Sequence, residues 1–222
     1  MAAFFLISMV PVMSSAQGIK REILKRLDNN NRSIQTLKAD VTMVKYDSVL
    51  KVSDTTTGST SYLPKSKATG NKMYIRVDWV TPVEEQISVI GDQYELYRPR
   101  LNQVIQGRTN TAKGSPKVGG ALSFINMSKS ELEANYETVY LGEEAISGGV
   151  TTWHIGLKPL RQTSYKSADL WIDGDGMPRQ ARVVEPNDDT TTILLSNIRK
   201  NDRVEAKIFK LNYPSSVKRI KA

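Results

Sequence analysis

Cysteine is absent from all 222 residues, which excludes a disulfide framework, a thiolate metal site and an acyl anchor on the chain's own N-terminal cysteine. Histidine is nearly absent: His154 is the single one. It stands between Trp153 and Ile155 in a strand pattern, on the polar side, where a hydrogen-bonded or solvated histidine is expected. A Ser-His-Asp arrangement stays open because its members meet only in space. No Gly-x-Ser-x-Gly elbow marks a nucleophile. The run Gly107 to Ser115 holds Lys113 and Ser115 but lacks the Gly-Lys-Ser/Thr order of a phosphate-binding loop. Beyond the N-terminus no apolar run approaches the roughly 20 residues that cross a bilayer. No internal repeat or compositional break divides the chain, so one domain is expected.

Residues 1–16 carry no charge, contain Phe4-Phe5-Leu6-Ile7 and end in the small residues Ser14-Ser15-Ala16. This is the pattern of a secretory signal, although no Lys or Arg precedes the apolar run. The expected organisation is therefore a signal over 1–16 and a single exported domain over 17–222. All 31 Lys and Arg and all 23 Asp and Glu follow Ala16, so the formal charge of +8 belongs to that domain. Such basicity favours anionic headgroups or an acidic partner surface. Nucleic acid is not expected, because the charges are scattered and form no basic stripe interleaved with aromatics.

What is plentiful is period-2 alternation. Ala168, Leu170 and Ile172 alternate with Ser167, Asp169 and Trp171; Asp173-Gly174-Asp175-Gly176 supplies turn chemistry; and Ala181 and Val183 interleave with Gln180, Arg182 and Val184. This reads as a β-hairpin, continued by Thr190 to Ile198. Asp173 to Gly176 also invites a calcium reading. The register fails, with Pro178 and Val184 where glycine and a bidentate glutamate would have to stand.

Upstream, Ile19, Ile23, Leu24 and Leu27 recur at helical spacing among charges, and Asn29-Asn30-Asn31 ends that amphipathic helix. A first strand covers Ala39 to Tyr46, and Asp54 to Ser61 and Lys65 to Gly70 read as loops around one weak strand. The cleanest alternation sets Met73, Ile75, Val77 and Trp79 against Lys72, Tyr74, Arg76 and Asp78. Further strands follow over Gln86 to Ile90, Gln93 to Arg98 and Leu101 to Gln106. Arg108 to Gly120 breaks the pattern, and the apolar segment Ala121 to Met127 reads as a lid or plug. Ser128 and Glu131 form a capping box that starts a helix over Lys129 to Asn135. Strands over Glu137 to Leu141, Thr151 to Lys158 and Ala206 to Leu211 complete about ten or eleven. The fold class is mainly β, a curved antiparallel sheet with short helices covering its apolar face. Part of that face can serve as a cavity for an apolar ligand, with the N-terminal helix and residues 121–127 as movable covers; a fully packed core has the same periodicity.

Several segments resemble the periplasmic lipoprotein carriers of the LolA family. They are the export signal followed by an amphipathic helix, the strand Met73 to Trp79 leading to Pro82, and the run Gly91-Asp92-Gln93-Tyr94-Glu95-Leu96-Tyr97-Arg98-Pro99. Later come Leu170-Trp171-Ile172-Asp173, Asp175-Gly176-Met177-Pro178-Arg179-Gln180, and Phe209-Lys210-Leu211-Asn212-Tyr213-Pro214. The resemblance implies an unclosed antiparallel β-barrel whose interior shields the acyl chains of lipoproteins between two membranes. Burial is worth about 0.8 kcal/mol per CH₂, so one chain of about fifteen carbons favours membrane over water by roughly 10 kcal/mol. A soluble carrier has to match most of that burial and still release it.

The resemblance further implies Ile75, Val77, Trp79, Ile87, Val89 and Leu96 as cavity lining, Leu122, Phe124 and Ile125 on the cover, and Leu170 and Ile172 as additional candidates. Its implied partners are acylated lipoproteins, an ATP-driven inner-membrane lipoprotein-releasing transporter and an outer-membrane acceptor lipoprotein. It implies a monomer with no cofactor, no metal and no catalysis. The same fold also resembles periplasmic carriers and sensors of free lipids or glycolipids, which is the alternative reading; a hydrolase of envelope lipids would need a nucleophile on His154. One feature departs from the family. Its members have an Arg-Pro, whose arginine ties the cover closed, where this chain reads Lys65-Ser66-Lys67-Ala68-Thr69-Gly70-Asn71-Lys72.

Overall fold

The computed structural model describes residues 13–109, 122–125 and 127–222. Helix α1 (Met13–Ser33) comes first. A run of strands follows: β1 (Leu37–Asp47), β2 (Val52–Leu63), β3 (Tyr74–Thr81), β4 (Glu85–Ile90), β5 (Gln93–Arg98) and β6 (Gln103–Arg108). Two short helices, α2 (Leu122–Ile125) and α3 (Lys129–Asn135), lead into β7 (Tyr136–Ile146), β8 (Val150–Pro159), β9 (Ser167–Asp173), β10 (Pro178–Val184) and β11 (Thr190–Lys200). A 3-10 turn at Ala206–Phe209 precedes β12 (Lys218–Lys221).

The twelve strands form one unclosed sheet in the order β12-β6-β5-β4-β3-β2-β1-β11-β10-β9-β8-β7. Each run is an antiparallel meander, and the two are joined where β1 pairs with β11. The last strand adds parallel to β6. At about 4.8 Å between strands a flat sheet of this size would span about 50 Å. The 21-residue α1 covers only about 30 Å at 1.5 Å per residue. Yet one continuous buried cluster takes in Tyr94 and Leu96 of β5, Leu157 of β8 and Tyr136 of β7 together with residues of all three helices. The sheet therefore curls around its helices, as sheets beyond about ten strands do.

The face under the helices is the inner one. Leu37, Ala39, Val41 and Met43 of β1 point to it, in the expected alternation. The outer face is covered at one side by the C-terminal segment. Phe209 is fully buried there, edge-on to Tyr74 at 5.5 Å between ring centroids. Leu211 and Val217 pack with Tyr97 and Val104 in a second small cluster.

Four expectations are corrected. The helix does not stop at Asn29-Asn30-Asn31 but runs to Ser33, because the amides of Asn30 and Asn31 find partners in the fold (below). Asp54 to Ser61 is strand, the middle of the 12-residue β2, whose backbone is paired by β1 throughout and by β3 from Thr57 onward. Ala206 to Leu211 is not a strand. It crosses the outer face to bury Phe209, and the free edge beside β6 is taken by β12 instead. With β2 and β12 complete the count is twelve. The capping box is as expected: Ser128 Oγ accepts from Glu131 N–H at 3.2 Å, and Glu131 Oε2 accepts from Ser128 N–H at 2.8 Å. Residues 1–12, which hold most of the expected signal, and residues 110–121 lie outside the described set.

Candidate lipid-binding face

Strand register arranges the inner face into transverse rows. One row runs Tyr62, Ile75, Val89, Tyr94, Gly107, and the next runs Thr60, Val77, Ile87, Leu96, Ile105. A third starts Gly58, Trp79, Glu85, and beside Glu85 comes Arg98, which pairs with Gln103. Val77, Trp79, Ile87, Val89 and Leu96 are all buried in the main cluster, and half-buried Ile75 packs against it. On the other meander Leu170 and Ile172 are fully buried in the same cluster, as are Phe124 and Ile125 of the cover. Leu122 holds the first position of α2, and its side chain lies outside the described set. Ten of the eleven sequence-derived candidates thus meet in one apolar body, which the covers close over in this structure.

Others belong to the same face. Val41, Met43, Ile155, Leu157, Ile193 and Leu195 are buried in the cluster, and their period-2 spacing was as readable as that of Val77. Glu85 and Arg98 carried no comparable signal, since an ion pair across two strands depends on register. They meet at 3.2 Å at the strand ends beside Trp79, with Glu85 largely buried.

The main cover is α1. Ile23, Leu24 and Leu27 point inward and are essentially inaccessible. Polar contacts fix its position. Lys20 Nζ donates to the Thr138 carbonyl at 3.1 Å, Arg26 Nη1 to the Gly174 carbonyl at 2.9 Å, and Asn31 Nδ2 to the Met127 carbonyl at 3.2 Å. Asn30 is only 5% exposed; its amide nitrogen faces Met177 Sδ at 3.5 Å, and its oxygen accepts from Lys200 Nζ at 2.6 Å. Four side chains of α1 thus hold the cover.

The second cover is aromatic. Phe124 of α2 sits 5.7 Å from the Tyr136 ring and 5.8 Å from the Tyr165 ring, and the two tyrosine hydroxyls are hydrogen-bonded to each other. Burial pushes the Tyr165 phenol well above the ordinary tyrosine range, and the bond to Tyr136 adds to this. Tyr62, on the inner face, is raised chiefly by burial and further by the charge of Glu131.

His154 lies on the outer face. Its Nε2 is 2.9 Å from Asp169 Oδ1, its Nδ1 is 3.2 Å from Glu144 Oε2, and its ring stacks on Trp171 at 4.3 Å. Arg182 donates twice to Asp169 Oδ2, at 3.0 Å each. The expected polar-side histidine is there, but Trp171 opposite it is only 3% exposed. Strand β9 of the hairpin is therefore buried on both faces and not on one, while β10 keeps one half-exposed face. The Asp173 to Gly176 segment is a turn: Asp173 Oδ1 accepts from the N–H groups of Asp175 at 3.0 Å and Met177 at 2.9 Å.

The architecture is a helix-covered, unclosed β-sheet with a continuous apolar inner face. The model of the family "Outer membrane lipoprotein carrier protein LolA" matches residues 68–212, more than half of the chain, and the protein belongs to that family. None of the curated proteins matches the sequence. Among solved structures the fold is similar to an uncharacterized conserved protein from Thermus thermophilus (TM-score 0.57, 13% identity, covering 92% of this chain and 99% of that one). It is similar to MucB (0.55, 12%, 88% and 63%) and to a DUF1329 family protein from Desulfovibrio piger (0.52, 15%, 88% and 97%). Among the described residues no helix is long and apolar enough to cross a membrane.

Proposed function

We propose that this protein is a periplasmic, non-enzymatic carrier that takes the acyl chains of lipoproteins onto its inner face and moves them from the inner to the outer membrane. The observation that carries this reading is the continuous apolar cluster under small, separately anchored helices, in a chain of the LolA family. Magnitudes support exchange of cover for ligand. Burying Ile23, Leu24 and Leu27 stabilises the closed α1 by about 2 kcal/mol each, about 6 kcal/mol together. Relative to water, one acyl chain of about fifteen carbons brings roughly 10 kcal/mol once a transporter has lifted it from the membrane. A lipid can displace the helix, and the helix can return when the lipid leaves. The uncharged N-terminal stretch supports export to the periplasm. Loading by an ATP-driven inner-membrane transporter and delivery to an outer-membrane acceptor lipoprotein complete the cycle, and the carrier acts as a monomer.

The test is extraction. Vesicles carrying a fluorescent diacylated lipopeptide are incubated with the protein and sedimented. Lipopeptide in the supernatant at a one-to-one ratio with protein is the expected result. Lipopeptide that stays with the vesicles, while free phospholipid is extracted in its place, would turn the reading to a free-lipid carrier.

A further inference from the structure

We infer that Trp79 reads an ester group in the bound lipid, its indole N–H donating to an acyl ester carbonyl; this rests on the carrier reading above. Trp79 is 3% exposed, and its Nε1 has no hydrogen-bond partner among the described residues. The other two buried donors there that lack a hydrogen bond are Nε of Arg98 and Nε of Arg179, and each lies 3.2 Å from a carboxylate, of Glu85 and Asp173 respectively. Of the three, Trp79 alone has neither. A buried N–H without an acceptor is a net cost, and phenylalanine would fill an apolar position without it.

Its place on the inner face says which acceptor fits. The row Ile75, Val89 is hydrocarbon on β3 and β4 and ends in Tyr94 on β5, and the row Val77, Ile87, Leu96 is hydrocarbon on β3 to β5. The next row holds Trp79, and directly across from it come Glu85 and its ion-pair partner Arg98. From the interior to the strand ends hydrocarbon gives way to a row in which one neutral donor stands beside a charge pair. An acyl glyceride has the same order: hydrocarbon chain, ester carbonyl, polar head. Arg98 is already paired with Glu85, so it is no free cation for a phosphate or a fatty-acid carboxylate, and a buried anion without one is penalised. A neutral carbonyl oxygen meets no such penalty. The flanking position on β2 is Gly58, against which the Asp78–Trp79 backbone packs directly. A Cβ at Gly58 would fall 2.1 Å from the Asp78 carbonyl oxygen.

The experiment compares two probes on the wild type and on Trp79→Phe: a lipopeptide with a diacylglyceryl group, and its dialkyl ether analogue, whose ether oxygens are poorer acceptors. A neutral hydrogen bond corresponds to roughly five- to tenfold in affinity. The wild type is expected to bind the ester that much more tightly than the ether. Trp79→Phe should bind the two alike, at the ether level, with no loss of thermal stability. In the wild type the indole N–H resonance that disappears in Trp79→Phe should move downfield with the ester and not with the ether. If that variant folds poorly, Trp153→Phe and Trp171→Phe identify the other two indole resonances and leave the Trp79 signal assigned. Equal binding of ester and ether by the wild type, or a preference that survives in Trp79→Phe, overturns the inference and leaves the carrier reading standing. A wild type that binds neither probe removes both.

Discussion

Gly176, in the β9–β10 turn, lies against the backbone of Arg26 in α1 so closely that a Cβ would fall 2.3 Å from the Arg26 carbonyl carbon and oxygen. Its φ of +84° is also one that side chains rarely adopt. The turn and the cover are thus fitted to one another. Gly176→Ala is expected to lift α1 from the sheet and to cost about 2 kcal/mol or more. Urea unfolding would read the loss, and binding of an apolar dye would rise as the inner face is exposed. Unchanged stability and no added dye binding would contradict the fitted contact.

Lys200 and Asn30 make a second fastening. Lys200→Met leaves the buried Asn30 oxygen without its 2.6 Å donor, at a cost of about 1–3 kcal/mol. The loss should fall on the cover. Hydrogen exchange is expected to speed up in Met13–Ser33 while β3 to β5 stay protected. Uniform acceleration across the sheet would show that the pair supports the whole fold and not the cover.

Tyr165 sets an alkaline limit. Its folded-state pKa is raised above the ordinary tyrosine value of 10.0 by burial first, and then by its bond to Tyr136. A raised pKa contributes stability that is fully present below about pH 10 and is lost as pH rises toward the folded-state value. Stability should therefore fall above about pH 10, and Tyr165→Phe should flatten that fall. The check is the melting temperature of both proteins, followed from neutral pH to well above the ordinary tyrosine range.

His154 is held on the outer face by Asp169 and Glu144 and stacked on Trp171. His154→Gln is expected to lower stability by about 1 kcal/mol and to leave lipid extraction unchanged. A variant that stays folded yet loses a ligand-dependent activity would revive the hydrolase reading.

Much of this was legible in the chain. Alternation placed Val77, Ile87 and Leu96 on one face because a strand that buries one side has to repeat every two residues, and Ser128 with Glu131 marked a helix start through a local reciprocal bond. Less legible was whatever depends on partners distant in sequence. Asn30 looked like a helix stop because its partners Met177 and Lys200 are far along the chain. Asp54 to Ser61 looked like loop because its polar side chains say nothing about two paired neighbours. Phe209 looked like part of a strand until Tyr74 gave it an outer-face pocket. The same limit hid the ion pair of Glu85 and Arg98, although Trp79 beside it was readable.

The central claim is that the inner face holds acylated lipoproteins, and mass spectrometry of what co-purifies with the protein from the periplasm tests it most directly. The account predicts acylated lipoproteins on the wild type and their loss from Val77→Asp, which puts a charge in the middle apolar row, in a variant that circular dichroism finds folded. Free lipids alone, or a wild type that is consistently empty in cells rich in lipoprotein, would contradict it.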